Sequence, residues 1–322
     1  MARTRACSSE RAALRPGFTL VEALVAIVVM GVVAALLMPL MLGSRRLVQS
    51  DQLRTSTNQG VRAGSDLIGS DIRMAGERFP QSSALTLPPI EIVQGAAGAP
   101  DEVILRRNLW ENTFPVCNIL LDDTDPDIIV VRLDGDAFWT GPNGPLYPEC
   151  GQPLDTNGWP MNLAQVKALA DTTTTNGVLR GYVYDPATGA GEFINFTVAA
   201  NANTTGRVTR FGGAPIVGSY PLGDRALMYI MDERRYRTNN DVLELVLNGV
   251  TASPMAVAGD ITDLQALYVL DTGVAVATLP LGTTWRSIRS VEITLTSESS
   301  IGPESVQRSL TTRFFPRNVL SR

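Results

Sequence analysis

An α+β protein is predicted, with one long N-terminal α-helix, membrane-spanning in its first half, packed on an antiparallel β-rich globular body. Three observations predict it. From Phe18 to Gly43 the only charged side chain is Glu22. A helix-periodic stretch with polar spacers follows that run. After Pro80, short apolar segments alternate with clusters of Gly, Pro, Asn and Asp, the pattern of strands and turns.

The apolar run comes first in the chain and in the argument. Ala23 to Leu42 is wholly apolar apart from Gly31 and Pro39. About 20 such residues cross a bilayer core as a helix, whereas a cleavable secretory signal uses a shorter apolar core of about 7–15 residues. The leader ahead of it carries Arg3, Arg5, Arg11 and Arg15 against Glu10, a net charge of +3. Basic residues stay on the cytoplasmic side, so the part beyond the span is exported. Arg45 and Arg46 beyond the span weaken this orientation without reversing it. On hydropathy alone the segment also fits a plain signal anchor, with Glu22 near the interface where a carboxylate costs little.

The helix is expected to continue past the membrane. Val61, Ile68, Ile72 and Ala75 recur at seven- and four-residue steps, as do Leu67 and Met74, with polar residues between. It should stop by Phe79-Pro80, because a residue before proline disfavours helical dihedrals. A helix from Phe18 to Glu77 would be roughly 90 Å long at about 1.5 Å per residue. Chain organisation then reads as a leader over 1–17, a helix over 18–78 that spans the membrane at about 18–42, and a β-rich exported domain over 79–322.

In that domain EVILRR, DIIVVRL, GYVYD, EFINFTV, ALMYIM, VLELVLN and VEITLTS are strand candidates. In the last, Val291, Ile293 and Leu295 alternate with Glu292, Thr294 and Thr296, as in a half-buried antiparallel strand. NLAQVKALA is a short helix. Gly141 to Pro160, dense in Gly and Pro, is expected to hold no regular structure, and reads either as a long connection or as an exposed contact loop. No internal repeat is present.

Composition excludes several chemistries. Histidine is absent and Lys167 is the sole lysine. That removes Ser-His and Cys-His nucleophile pairs, the usual zinc cages, and nearly all lysine chemistry. No spacing singles out a catalytic carboxylate dyad, so no enzyme and no cofactor are expected. Net charge is −5 for the chain, leaving −8 beyond the leader. An acidic body does not favour direct nucleic-acid binding, which draws affinity from neutralised phosphates. Of three cysteines, Cys7 lies in the leader, and Cys117 with Cys150 reads as a disulfide in an exported domain.

Two clusters are weighed as sites. Asp123, Asp125 and Asp127 of DDTDPD, beside Asp122 and with Asp134 further on, fall at EF-hand spacing. Ile128 stands where that loop needs glycine, Pro126 stiffens it, and the bidentate Glu is missing, so a solvated turn is the plainer reading. Arg234, Arg235 and Arg237 around Tyr236 form the mixture that holds single-stranded nucleic acid. Asp232, Glu233 and Asp241 offset the charge, and a hairpin tip has the same composition.

The joint pattern Gly17-Phe18-Thr19-Leu20-Val21-Glu22 behind a basic leader resembles the processing signal of type IV prepilins. The resemblance implies cleavage between Gly17 and Phe18 by a membrane prepilin peptidase and N-methylation of Phe18. It implies that Glu22 of an incoming subunit meets the amine of a neighbour and sets register along a filament. A buried carboxylate and a buried ammonium are each unfavourable alone, and pairing relieves both. Pro39 matches a proline where the helix of major pilins melts during assembly; a simple bend is the alternative. Some relatives bind calcium.

SDIRMAGERF, GDITDLQALYVL, WRSIRSVEITLTSES and LTTRFFPRN look like PilW-like minor pilins. The middle, about 80–255, resembles nothing named and leaves room for an inserted module. The expected function is a minor pilin that helps initiate or cap a type IV pilus, with other pilin subunits and the inner-membrane assembly platform as partners. A pseudopilin of type II secretion or competence is the alternative within the fold. A membrane-anchored binding or adhesive protein is the alternative outside it. Either way the expected location is the bacterial inner membrane, single-pass, before passage into the filament.

Overall fold

A computed structural model describes residues 19–79, 87–96, 98–110, 113–117, 127–130, 140–141, 144–145, 150, 156–158, 160–172, 177–212, 216, 218, 220, 226–281, 283–301 and 304–320. The chain divides into two units, Met1–Arg54 and Thr55–Arg322. Helix α1, Leu20–Met74, contains Pro39 without interruption. It ends at Met74, ahead of the Phe79-Pro80 limit. Gly76 takes a positive φ of 76°, which terminates the helix at the left-handed position before Phe79-Pro80 is reached.

In the first unit the large apolar side chains from Leu20 to Val48 stand 48% to 83% exposed, so nothing among the described residues covers them. A helix apolar on all sides and bare of partners needs lipid or another chain around it.

The second unit is antiparallel throughout. Its strands are β1 (Ile90–Val93), β2 (Glu102–Asn108), β3 (Phe114–Pro115), β4 (Asp127–Ile129), β5 (Thr140–Gly141), β6 (Gly144–Pro145), β7 (Leu179–Tyr184), β8 (Gly191–Thr197), β9 (Arg207–Arg210), β10 (Leu227–Asn239), β11 (Val242–Leu247), β12 (Met255–Gly259), β13 (Ile261–Leu270), β14 (Ala275–Val276), β15 (Ile288–Ile301) and β16 (Glu304–Phe314). Helices α2 (Met161–Thr172), α3 (Ala202–Thr205) and α4 (Arg317–Leu320) complete it. A small ladder, β5 with β6, occupies part of the segment expected to be irregular.

Strand β10 organises the main sheet. Its first part, Leu227–Met231, pairs with β7, and Leu227 and Met228 also pair with β3. Its second part pairs with β2 from Met231 to Tyr236 and with β11 from Arg234 to Asn239. Beyond β7 the sheet continues through β8 and β9 to β4. The middle of the chain therefore shares a strand with the part that packs on α1. The β10–β11 turn is Asn240-Asp241, with φ of 49° and 59°, the mirror-image turn that matches strand twist.

The second sheet has the order β14-β13-β15-β16. The Thr55–Met74 part of α1 packs between the sheets: Val61, Ile68 and Ile72 are buried with Ile90, Val103 and Leu105 of one, and with Leu264, Val291, Ile293 and Leu295 of the other. Each such side chain contributes roughly 1.5–3 kcal/mol by leaving water. Glycine permits the approach. A methyl group at Gly69 would stand 2.2 Å from the Phe314 ring, and one at Gly64 2.8 Å from Leu243. Asp101 ties the sheets together, accepting from the amides of Gly95 and Ala266, each at 2.9 Å. A separate core under β7–β9 gathers Phe114, Ile128, Leu163, Val166, Phe196 and Ile230 with α2.

Candidate functional site

The start of α1 is built by its own sequence. Thr19 precedes the first helical residue and Glu22 lies three beyond it, the spacing of a capping box. The Thr19 amide and hydroxyl both donate to Glu22 Oε2 at 2.9 Å, and the Glu22 amide donates back to Thr19 Oγ1 at 3.3 Å. Two of the donors that a helix start leaves orphaned are thus engaged locally. Glu22 Oε1 has no partner among the described residues, so one carboxylate oxygen stands ready for an external cation. This double use was legible as Thr-x-x-Glu before an apolar run, yet sequence reasoning took the acid for its charge alone.

The leader through Gly17, and Phe18 after it, lie outside the described residues. Pro39 sits inside the continuous helix.

In the second unit a polar belt interrupts the apolar core along one face of β10. Asp71 of α1, 2% exposed, pairs with Arg234 at 2.8 Å and accepts from the Tyr236 hydroxyl. Arg107 pairs with Asp232, its cross-strand partner, at 2.8 Å. Burial, and then the Asp71 hydrogen bond, push the Tyr236 hydroxyl well above its ordinary value, so it remains a donor. A pocket lined by Asp71, Met74, Leu105, Arg106, Arg107, Asp232 and Arg234 marks the belt. Asp71 carried a signal too: an acid directly beside the buried position Ile72.

The opposite face of the sheet holds a second network. Glu233, 1% exposed, accepts from Arg106 at 2.8 Å, and Arg180 lies 3.5 Å away. Both guanidiniums also stand over the Phe193 ring, at 5.0 and 4.5 Å.

The arginines read as a nucleic-acid mixture sit along β10, in the arm of the β10–β11 hairpin that leads to the Asn240-Asp241 turn. Arg234 serves Asp71, Arg235 pairs with Glu102 at 3.2 Å, and Arg237 with Glu244 at 3.0 Å. Cross-strand acids on β2 and β11 account for this, and no local pattern announces them. Asp127 belongs to β4, where it accepts from Thr209 Oγ1 at 2.9 Å. Asp122, Asp123, Asp125 and Asp134 lie outside the described residues. Among the described residues no cluster of acids or cysteines has the grouping to hold a metal ion.

Cys117 and Cys150 form a disulfide across a sequence separation of 33 residues, with Cα atoms 6.0 Å apart. Both are buried, so the bridge fastens the end of the β3 segment to the chain leading into α2.

Compared with known proteins, residues 15–38 match the prokaryotic N-terminal methylation motif. No curated protein matches the chain.

Proposed function

We propose that this protein, which carries the prepilin-type motif over residues 15–38 ahead of a pilin-like α+β fold, belongs to the type IV pilin and pseudopilin family and is a PilW-like minor subunit that helps initiate or cap a type IV pilus. The motif implies handling by a prepilin peptidase and association with pilus-assembly partners, and with the apolar helix it is consistent with an inner-membrane anchor. Family members are structural proteins, and the reading requires no chemical turnover from this chain.

In this reading the leader over 1–17 is removed between Gly17 and Phe18 and the new amine is methylated. The single observation that carries the reading is Glu22, the one charge between Phe18 and Gly43, held at the helix start with Oε2 satisfied and Oε1 without a partner among the described residues. An arriving subunit supplies the carboxylate and a neighbour supplies the ammonium. Burial of the exposed apolar helix among other subunits drives association, while the ion pair selects register because a mismatched stagger leaves both charges unpaired in apolar surroundings. Pro39 supplies the weak point at which the helix opens when it is packed.

The test has two parts. The mass of the N-terminus of protein from its own cells should correspond to N-methyl-Phe18; a chain starting at Met1 or beyond Gly43 overturns the reading. Glu22→Ala should leave that processed start in place and abolish incorporation into filaments. Loss of secretion without loss of pili, on deletion, would assign the chain to a secretion pseudopilus instead.

A further inference from the structure

One end of the four-stranded sheet gathers features the function above does not use. Leu270 at the end of β13 lies opposite Ile288 at the start of β15, and Phe314 at the end of β16 lies opposite Val291. The 271–274 loop, the connection over 277–287, and Phe315 with α4 therefore emerge together. The last turn of α1 arrives at the same place. Arg73 stands 5.8 Å from the Phe314 ring, and the Asn318 side chain donates to the carbonyls of Arg73 and Met74.

This end is apolar and basic at once. From Thr272 to Trp285 the chain has no charge, and Val274, Leu281 and Phe315 are 55%, 107% and 52% exposed. Arg73, Arg289 and Arg317 are exposed, and no described carboxylate pairs with any of them. Arg286 lies over the Trp285 ring at 5.4 Å. The acids at this end are Asp271 and Glu292, and Glu292 is engaged by Arg313 at 2.6 Å. Elsewhere in the body Arg106, Arg107, Arg234, Arg235 and Arg237 all have acidic partners. Three exposed arginines without a described carboxylate partner thus stand together here, in a chain that is net −8 beyond its leader.

We infer that this end of the sheet is a docking surface for a second protein that presents carboxylates around an apolar patch. Arginine and aromatic residues with few acids and no lysine are the composition of protein–protein contact centres. Charge complementarity fixes the sign of the partner, because three guanidiniums beside apolar side chains repel a basic face and leave a neutral one with unpaired charges. A single-stranded nucleic acid fits less well. It needs successive open ring faces, whereas Trp285 is covered by Arg286 and meets Phe79 edge-on, which leaves Phe315 alone. The subunit reading enters only in where the partner is sought, among the exported proteins of the same machine.

The experiment places a photo-crosslinking benzoylphenylalanine at Leu281 of the full chain in its own cells. An adduct is expected whose linked peptide carries Asp or Glu beside apolar residues. Arg289→Glu combined with Arg317→Glu should lower its yield about tenfold, and the milder Arg289→Gln with Arg317→Gln should lower it less. Reversing the partner's acids should restore the yield in the Glu variant. An unchanged yield in both double variants, a lipid or nucleic-acid adduct alone, or no adduct overturns the docking surface. The N-terminal mass, measured in the same cells, reports on the subunit reading separately: N-methyl-Phe18 with a charge-independent adduct sinks the docking surface and leaves the subunit reading standing.

Discussion

Removing the Asp71 carboxylate should loosen α1 from the main sheet. In Asp71→Ala the buried Tyr236 hydroxyl loses its acceptor, a loss of about 1–3 kcal/mol for an unsatisfied buried donor. Arg234 is 27% exposed and keeps Asp232 at 3.2 Å, so its contribution is discounted to about 1 kcal/mol. Alanine regains roughly 0.5 kcal/mol of helix propensity. The net expectation is a destabilisation of about 1.5–3.5 kcal/mol. Urea unfolding of the full chain in mild detergent, followed by tryptophan emission, measures it as a lowered midpoint. The companion Tyr236→Phe removes the donor with the acceptor intact, and the double-mutant cycle should return a coupling of about 1 kcal/mol or more. A cycle energy near zero, or an Asp71→Ala midpoint equal to that of the parent, would refute the claim that this carboxylate fastens helix to sheet.

Other perturbations test other parts of the fold. Gly69→Ala should destabilise although alanine normally gains about 1 kcal/mol over glycine in a helix, because its methyl group meets the Phe314 ring; Gly43→Ala, with nothing within 4 Å, should not, and thermal midpoints of the two decide it. Reduction of Cys117–Cys150 should lower stability by roughly 4 kcal/mol on the chain-entropy account, read as a fall in urea midpoint with reductant and reproduced by the Cys117→Ser, Cys150→Ser pair. Burial pushes the Tyr268 hydroxyl up to about 12, and Tyr220 and Tyr236 are raised further by burial and by neighbouring carboxylates. The folded state prefers the neutral phenol. The stabilisation is therefore complete below about pH 10 and lost as pH rises through about 12. The thermal midpoint should hold steady to about pH 10 and fall above it, and Tyr268→Phe should flatten part of that fall.

Local chemistry explains which parts were legible. The apolar run, the periodic Val61, Ile68 and Ile72, and the alternation in VEITLTS each declare an element within a few residues, and each takes the form its period requires. The Phe79-Pro80 limit is local too, and the helix ends at Met74 within it because Gly76 takes the left-handed position first. The arginines of β10 were read as a local cluster because their partners on α1, β2 and β11 are distant in sequence. Cys117 and Cys150 were paired correctly by elimination, since only two cysteines remain beyond the leader.

The amino-acid sequence alone determined the processing motif, the apolar span with its lone acid, and the α+β class. These are written in near neighbours, where spacing of three, four or two residues dictates which side chains share a face. Tertiary structure alone decided that β10 is shared by two cores, that Asp71 lies under Arg234 and Tyr236, and that Arg73, Arg289 and Arg317, with no carboxylate partner among the described residues, stand beside exposed apolar residues at one sheet end. Those arrangements depend on strand order and register between segments more than a hundred residues apart. Antiparallel pairing permits many such orders, and the choice among them is made by which combination buries its apolar faces and leaves each buried charge a partner.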